Sequence, residues 1–264
     1  MKTFLKDCRW GQFILLRGDM ISQFMDMYGE WSETEVELYR HLLPSDGICI
    51  EVGANIGAHA IPLSKICSEG TIFCFEPQRP LFQILCGNAA LNNRLNIVAR
   101  NQAIGAKKST LEIESCDYEE SWNYGAFSIK DGFSREAKFS GNVTKESIDI
   151  VPIDGIPAIQ QLKKIDLIKI DAEGLEFEIL RGAELTVNRF LPDLFVEAND
   201  QSVFDNVLGL VKRWGYNGRW FVSHRFREDN FNRSWFAADG YDINVIFSAR
   251  RCFMWVACPA PLRR

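Results

Sequence analysis

From residue 48 onward, short apolar runs alternate with longer segments in which apolar residues recur every three or four positions. The runs are rich in Ile, Val and Phe and have the length of buried strands, whereas the longer segments have the period of amphipathic helices. This alternation is typical of βαβ units, in which a helix connects two parallel strands. The pattern therefore predicts an α/β core built on a mostly parallel sheet.

Five runs have the composition of buried parallel strands, and two aromatic runs follow them in the C-terminal part of the chain. These runs are residues 48–52, 71–75, 97–100, 165–170 and 194–197, followed by 220–222 and 243–247. Helices are expected at about residues 58–67, 80–91, 176–187 and 203–214. Pro80 suits the first turn of its helix, because the N–H that proline lacks has no partner inside the helix there. Helices are thus expected as crossovers between neighbouring strands.

The chain has no internal repeat and no low-complexity linker, so we predict a single domain over residues 1–264. We expect an N-terminal helical cap over 1–45, a core over 46–200, and a C-terminal helix with strands over 201–264. Within the core, residues 106–150 interrupt the alternation with a polar stretch that contains glycines. Such a stretch is typical of an inserted hairpin or of a loop that faces a substrate.

The composition is that of a globular protein: 47% of the 264 residues are hydrophobic and 25% are charged. The net charge of -5 provides no basic field for a nucleic-acid backbone or an anionic membrane. No apolar stretch approaches the roughly 18 residues of a membrane span, and the first residues do not resemble a signal peptide. The eight cysteines are scattered without a CxxC pair, as expected in a reducing compartment.

These features predict a cytoplasmic protein with no nucleic-acid partner and no stable insertion into a membrane. A homodimer is compatible with the sequence.

A turn with two glycines follows the first predicted strand of the core. It reads Glu-Val-Gly-Ala-Asn-Ile-Gly from Glu51 to Gly57. The glycines allow the backbone to approach a ligand closely, and the helix that follows offers free N–H groups. At the end of the second strand, the carboxylate of Glu76 can accept hydrogen bonds from both hydroxyls of a ribose. The turn and Glu76 together predict a ligand that contains a nucleoside.

The charge of this turn distinguishes between two classes of cofactor. A dinucleotide fingerprint would need a third glycine, and Glu51 would repel a pyrophosphate, whereas a cationic sulfonium tolerates a nearby carboxylate. S-adenosylmethionine is therefore favoured over NAD. The alternatives are an NAD-dependent oxidoreductase, a non-catalytic binding protein, and a tight turn that binds no ligand.

Five motifs stand in one order along the chain. They are Tyr28-Gly29-Glu30-Trp31-Ser32-Glu33, the turn 51–57, Phe75-Glu76-Pro77-Gln78, the segment Asn88 to Asn93, and Ile165 to Gly174 with its Asp171-Ala172-Glu173-Gly174 end. Glu184 and Glu197 follow. In this order the chain resembles the FkbM family of methyltransferases from about residue 28 to 200. Glu51 stands where the family usually has Asp, and Ala172 stands where it has Val or Ile.

The resemblance implies a Rossmann-like class I methyltransferase fold, with a mostly parallel seven-stranded sheet, helices on both faces and an antiparallel final strand in the aromatic tail. It implies S-adenosyl-L-methionine as cofactor and O-methylation, commonly of a sugar hydroxyl in a glycan, a glycolipid or a glycosylated metabolite. A non-sugar small molecule is the alternative acceptor. A nucleic-acid methyltransferase is disfavoured by the acidic charge of the chain.

The resemblance also suggests where the cofactor is contacted: at the N-terminal motif, the glycine turn, the ends of the second and third strands, and the end of the fourth. The residues are Tyr28, Glu30, Glu51, Gly53, Ala54, Asn55, Gly57, His59, Glu76, Pro77, Gln78, Asn101, Gln102, Ala103 and Asp171.

Methyl transfer to a sugar hydroxyl needs a positioned acceptor and a base. Asp171 and Glu173 follow the fourth strand and are predicted to be catalytic, although acids at the start of a helix are often simple caps. His224, in an aromatic segment, is a third candidate base. The predicted substrate contacts are Asn123, Lys169, Glu197 and Asn199.

Asp171, Glu197 and Asn199 would also suit a divalent ion such as Mg²⁺, but they can equally bind sugar hydroxyls. We therefore predict no resident metal.

Overall fold

The computed structural model describes residues 1–133, 139–198, 201–238 and 240–250. Within these ranges the strands are β1 (Thr3–Cys8), β2 (Gly11–Leu16), β3 (Ile48–Val52), β4 (Thr71–Phe75), β5 (Ile97–Arg100), β6 (Ala103–Ile104), β7 (Ser109–Cys116), β8 (Val143–Val151), β9 (Leu167–Ile170), β10 (Asp193–Glu197), β11 (Asn217–His224) and β12 (Tyr241–Ser248). The α-helices are α1 (Met20–Tyr28), α2 (Glu33–Leu42), α3 (Ala60–Ile66), α4 (Arg79–Leu91), α5 (Pro157–Gln160), α6 (Glu176–Arg181), α7 (Glu184–Phe190) and α8 (Gln201–Arg213).

The central sheet has seven strands in the order β11-β12-β10-β9-β3-β4-β5. The five strands from β10 to β5 are parallel, and β12 pairs antiparallel with both β10 and β11. This arrangement confirms the predicted Rossmann-like fold, including the antiparallel strand in the aromatic tail. The last residues of the predicted C-terminal segment, 251–264, lie outside the described residues.

Side chains alternate between the two faces of the sheet, and helices cover both faces. On β3, Ile50 and Val52 join a cluster with residues of α6, α7 and α8, whereas Cys49 points to a second cluster with residues of α2 and α3. Strands that are covered on both faces are apolar throughout, because neither row of side chains meets water. Lys169 on β9 is an exception, since it is charged and yet 2% exposed.

The N-terminal segment differs from the predicted helical cap. A β-hairpin formed by β1 and β2 precedes α1 and α2, with Cys8 paired to Gly11 across its turn. The apolar run at the end of β2 is too short for its period to distinguish a strand from a helix. Tertiary contacts hold it as a strand: the side chain of Asn88 on α4 accepts a hydrogen bond from Ile14 N at 2.6 Å and donates one to Ile14 O at 3.2 Å.

The segment between the third and fourth strands of the core contains an antiparallel pair, β7 and β8, in register from Ser109–Ile150 to Cys116–Val143. The short β6 pairs in parallel with β8. The connection between β7 and β8 contributes buried aromatic side chains to a cluster shared with the N-terminal hairpin: Tyr118, Trp122, Tyr124, Phe127 and Phe133. Trp122 N also donates a hydrogen bond to Gly18 O at 3.1 Å. The insertion and the N-terminal segment therefore pack against each other.

Within the described ranges, none of the helices combines the length and the apolar character that a membrane crossing requires.

Candidate functional site

A pocket opens at the carboxyl ends of β3, β4, β5, β9 and β10, where ligands bind in open α/β sheets. The empty space inside it, with its open mouth included, is ≈ 1080 Å³. Residues of α1, α2, the insertion and β12 complete the walls, so segments from all parts of the chain meet there. The predicted site residues that line it are Gly53, Asn55, His59, Glu76, Pro77, Gln78, Gln102, Ala103, Asn123, Asp171, Glu173 and Glu197.

The glycine turn depends on the absence of a side chain at Gly53. This residue has φ +80°, and a Cβ there would collide with the carbonyl oxygen of Asp171 at the end of the neighbouring strand. Only glycine adopts this backbone readily and allows such a close approach. The turn is thereby held against the end of β9, and Gly53 and Asn55 line the pocket.

Glu76 is fixed by the backbone of the turns around it. Its Oε2 accepts a hydrogen bond from Asn55 N at 2.9 Å, and its Oε1 accepts one from Gln78 N at 2.8 Å. Burial raises the pKa of this carboxyl to about 7, although the two N–H groups favour the charged form. Each oxygen has further acceptor capacity, so Glu76 can also accept hydrogen bonds from a ligand in the pocket.

Gln78 and Asn101 stabilise the rim of the pocket. Gln78 lines it, but its amide donates to Tyr124 O and accepts from Tyr118 Oη, both at 2.9 Å, which ties the insertion to the core. Asn101 does not line the pocket; its Nδ2 donates to Glu76 O and Pro77 O at 2.9 and 2.8 Å. Asn101, which is predicted to contact the cofactor, thus supports the backbone of Glu76 and Pro77 from outside the pocket wall.

Glu51 and Lys169 lie side by side in the sheet register, and neither lines the pocket. The alternation along β3 places Glu51 on the face covered by α2 and α3, opposite Val52. Lys169 Nζ lies 3.9 Å from Glu51 Oε1 and 3.3 Å from Asp171 Oδ2. Burial raises the pKa of Glu51 to about 7. Burial would lower the pKa of Lys169, but the carboxylates of Asp171 and Glu51 raise it.

Glu35 on α2 is a pocket residue that the sequence did not identify. Its side chain is buried; Oε2 accepts a hydrogen bond from Tyr39 Oη at 3.0 Å, and Oε1 accepts one from Asn244 Nδ2 at 3.3 Å. His59 Nε2 lies 3.6 Å from Glu35 Oε2. Burial raises the pKa of Glu35 to about 8 and lowers the pKa of His59 well below its usual range, so the imidazole is neutral. In the sequence, Glu35 resembles an ordinary acid in the first turn of a helix.

Tyr28 and Glu30 stabilise a distant segment and do not line the pocket. Tyr28 Oη donates to Phe236 O and accepts from Ala238 N, both at 3.0 Å. Glu30 Oε2 accepts from Arg9 Nε at 2.7 Å and from Phe231 N at 3.0 Å. The sequence places Tyr28 and Glu30 in one motif, but only the fold shows that both residues bind the loop after β11.

Ala54 and Gly57 also lie outside the wall of the pocket. Ala54 packs in the core cluster with α2 and α3, and the Cα of Gly57 faces Leu85 on α4. Both positions serve the shape of the turn, not a direct contact with the predicted cofactor.

Three carboxylates converge on the side of the pocket beyond β9. Oxygens of Asp171, Glu173 and Glu197 lie within 4.8 Å of one another. Burial raises the pKa of Glu197 well above its usual range, and the charge of Asp171 raises it further. Carboxylates at this spacing can bind a cation or several hydroxyls. Asn199, which was predicted to join them, lies outside the described residues.

The alternative role of these acids, capping α6, is not observed: the N-cap is Leu175, and no side-chain cap hydrogen bond is formed there. A different acid holds the turn that precedes the helix. Glu176 Oε1 accepts hydrogen bonds from Ala172 N at 3.2 Å and from Gly174 N at 3.1 Å. Glu173 itself has φ +50°, a left-handed backbone conformation that residues other than glycine seldom adopt. The turn thus directs Asp171 and Glu173 to the pocket while Glu176 satisfies the backbone.

His224 is not part of the pocket. It is exposed at the end of β11, paired in register with Tyr241, because the strand alternation points its neighbour Ser223 inward. The following residue, Arg225, lines the pocket and forms an ion pair with Asp242, with Nη2 2.7 Å from Oδ1. The structure therefore does not place His224 in the pocket wall, to which the aromatic segment contributes Arg225.

Trp31, from the first motif, also lines the pocket. Several further wall residues come from segments that carry no motif: Met20, Ile21, Phe127, Ile129, Arg225, Asp242 and Asn244. Their positions depend on how the N-terminal segment, the insertion and β12 pack around the sheet. No local pattern in the sequence indicates this packing.

Residues 51–217 match a family model described as methyltransferase FkbM domain. The chain is 25% identical over 150 residues to Methyltransferase 1 of Beauveria bassiana (strain ARSEF 2860), a match that covers 53% of this chain and 60% of that protein. It is 28% identical over 162 residues to Methyltransferase sdnD of Sordaria araneosa, covering 54% and 62% respectively. The matches thus span about three fifths of the length of these curated relatives.

A solved structure of methyltransferase FkbM from Methylobacillus flagellatus KT is 18% identical, with a TM-score of 0.47, and the match covers 81% of this chain and 50% of that one.

Proposed function

Because the chain belongs to the FkbM methyltransferase family, we propose that it transfers the methyl group of S-adenosylmethionine to a hydroxyl oxygen of a sugar. The acceptor would be a glycan, a glycolipid or a glycosylated metabolite. One observation carries this proposal: a single pocket contains a nucleoside-binding turn with Glu76 and, beyond β9, three convergent carboxylates. S-adenosylmethionine supplies the activated methyl group on its sulfonium.

The half of the pocket around β3 and β4 suits the cofactor. Glu76 is held with its oxygens toward the pocket, where it can accept hydrogen bonds from the two ribose hydroxyls. Ala103, Ile104 and Phe127 provide apolar surface nearby for a base such as adenine. The backbone of the glycine turn leaves room for the chain that links the ribose to the sulfonium.

The half beyond β9 suits a polyhydroxyl acceptor. Asp171, Glu173 and Glu197 together offer many acceptor positions, which is what several neighbouring hydroxyls require. Asn123, from the insertion, adds an amide to the same pocket.

Asp171 is the proposed base. Lys169 Nζ, 3.3 Å from Asp171 Oδ2, orients its carboxylate, while burial and the charge of Asp171 raise the pKa of the neighbouring Glu197. As the acceptor oxygen bonds to the methyl carbon and the carbon–sulfur bond breaks, the hydroxyl proton passes to Asp171.

Transfer of a labelled methyl group from S-adenosylmethionine tests the proposal, with neutral glycans, glycolipids and nucleotide-sugars as acceptors. We expect labelled product with a sugar acceptor and a stable ether linkage to its oxygen. Calorimetry with S-adenosylmethionine and with NAD on the same protein provides the control. Binding of NAD in place of S-adenosylmethionine would contradict the proposal, and labelled product on a non-sugar acceptor alone would reject the acceptor class.

A further inference from the structure

A group of buried charges lies behind the wall of the pocket and includes the pocket residue Glu35. Lys169 is its centre, with its Nζ 3.3 Å from Asp171 and 3.9 Å from Glu51, and the charge of Glu35 acts on the same ammonium. One buried ammonium thus faces three carboxylates, of which Glu35 and Glu51 are buried, whereas the Asp171 side chain lines the pocket and is 42% exposed. Negative charge on both buried acids is unfavourable unless a proton or another cation compensates it.

Each structural element that packs around Glu35 brings a titratable or polar group, and Lys169 is the cation that acts on its carboxyl. Tyr39 and Asn244 donate neutral hydrogen bonds, and the imidazole of His59 is neutral. Asp242 on β12 adds a negative charge, but it is paired with Arg225. Glu35 therefore shares Lys169 with two other acids and receives little compensation of its own.

Glu35 differs from Glu51 in one respect that concerns ligands: Glu35 lines the pocket, and Glu51 does not. Because burial raises the pKa of Glu35 to about 8, this carboxyl carries a proton at neutral pH when the pocket holds no ligand. A cationic ligand in the pocket can supply the missing positive charge in place of that proton.

We propose that Glu35 is the counter-charge for the cationic end of S-adenosylmethionine and releases its proton to the solvent when this cofactor binds. This inference rests on the proposed function for the identity of the cofactor. It makes Glu35 a specificity-determining residue, since a ligand that carries no positive charge gains nothing from a carboxylate at this position. The proton passes to the buffer, so its release can be counted.

Titration calorimetry at pH 7 in two buffers of different ionisation enthalpy counts the protons released on binding. We expect S-adenosylmethionine to release more than half a proton per site from the unmodified protein. The neutral nucleoside 5′-methylthioadenosine should release fewer protons, because it engages Glu76 through its ribose but brings no positive charge to Glu35. S-adenosylhomocysteine keeps the ammonium but lacks the sulfonium charge, so its release assigns the partner of Glu35: release equal to that of S-adenosylmethionine indicates the ammonium, and release equal to that of 5′-methylthioadenosine indicates the sulfonium.

Two variants on α2 sharpen the test. Glu35→Gln should release no more protons with S-adenosylmethionine than with 5′-methylthioadenosine, and it should reduce the preference for S-adenosylmethionine about tenfold, which corresponds to one pKa unit of lost charge interaction. Glu33→Gln is the matched control: Glu33 is also buried on this helix, but it accepts a hydrogen bond from Trp10 and lies outside the pocket. It should leave both quantities unchanged.

Equal proton release with 5′-methylthioadenosine, or unchanged release in Glu35→Gln, would overturn the inference. If Glu35→Gln does not fold, as judged by its thermal melting curve, the comparison of the two ligands on the unmodified protein still decides. Failure of the proposed function gives a different result, namely no binding of S-adenosylmethionine at all.

Discussion

Glu76 and Glu35 are both buried carboxylates in the wall of one pocket, but different parts of the molecule hold them. Glu76 accepts hydrogen bonds from two backbone N–H groups, whose positions follow from the turns after β3 and β4. Glu35 accepts from the side chains of Tyr39 and Asn244, the latter from β12 at the other end of the chain.

The backbone donors hold the Glu76 side chain in a defined position suited to neutral hydroxyls, whereas Glu35 shares a single ammonium with other acids. The comparison therefore assigns recognition of the nucleoside to the first carboxylate and recognition of charge to the second.

The largest effect on turnover is expected at Asp171, the proposed base on the acceptor side of the pocket. Asp171→Asn removes the proposed base, so turnover should fall about 10³-fold, within the range for loss of general base catalysis. Binding of S-adenosylmethionine, measured by calorimetry, should change less than about threefold, since ribose recognition by Glu76 is intact. Asp205→Asn, an exposed change on α8, is the control. Unchanged turnover would remove Asp171 from the proposed mechanism.

Glu76→Ala tests the nucleoside half of the comparison. It removes the proposed ribose acceptor and leaves Asn55 N and Gln78 N without their partner, so the affinity for S-adenosylmethionine should fall on the order of 100-fold. Calorimetry measures the affinity, and S-adenosylhomocysteine should lose affinity to the same degree because it has the same ribose. A loss confined to one of the two ligands would contradict the assignment.

Gly53→Ala tests the backbone that positions Glu76. The new Cβ would meet Asp171 O and the residue would need a positive φ, so the free energy of unfolding should fall by roughly 2 kcal/mol or more. Gly209→Ala is the matched control, because no heavy atom lies within 4 Å of a Cβ in the middle of α8. Helix propensity should stabilise that variant by about 1 kcal/mol. Urea denaturation measures both, and equal effects would mean that Gly53 is not constrained.

A smaller effect is expected in the pH dependence of stability without ligand. In the folded protein the pKa of Glu35 is raised to about 8, so this group favours the folded state at low pH and loses that contribution as the pH rises through 8. The free energy of unfolding should therefore decrease between pH 5 and pH 8.5, and Glu35→Gln should reduce the slope. Other buried acids contribute to the remainder, among them Glu51 and Glu76, whose pKa values are raised to about 7, and Asp19 and Glu197, whose pKa values burial also raises. An identical slope in Glu35→Gln would show that its carboxyl is not protonated.

The smallest effect is expected at the end of β11. His224→Ala should change neither the turnover nor the cofactor affinity by more than about twofold, because an exposed side chain outside the pocket contributes little. Arg225→Ala should affect both, since it leaves Asp242 in the pocket wall without its cation. Kinetic assays of the two neighbouring variants decide which of them belongs to the site.

The sequence by itself determined the parallel core, the glycine turn, Glu76 and the acids after β9, because each of these depends on contacts within one βαβ unit or at one strand end. The alternation of side chains along β3 also predicts that Glu51 and Val52 face opposite sides of the sheet. Treating residues 51–57 as one motif hides this difference.

Only the tertiary structure decided which charges meet. Glu35, His59, Lys169 and Asn244 come together because α2, α3, β9 and β12 pack around the same strand end, and no local period records that arrangement. The N-terminal hairpin was decided in the same way, since Asn88 on α4 holds its second strand. Burial then changes the protonation of these groups, and burial is a property of the packed fold and not of the chain.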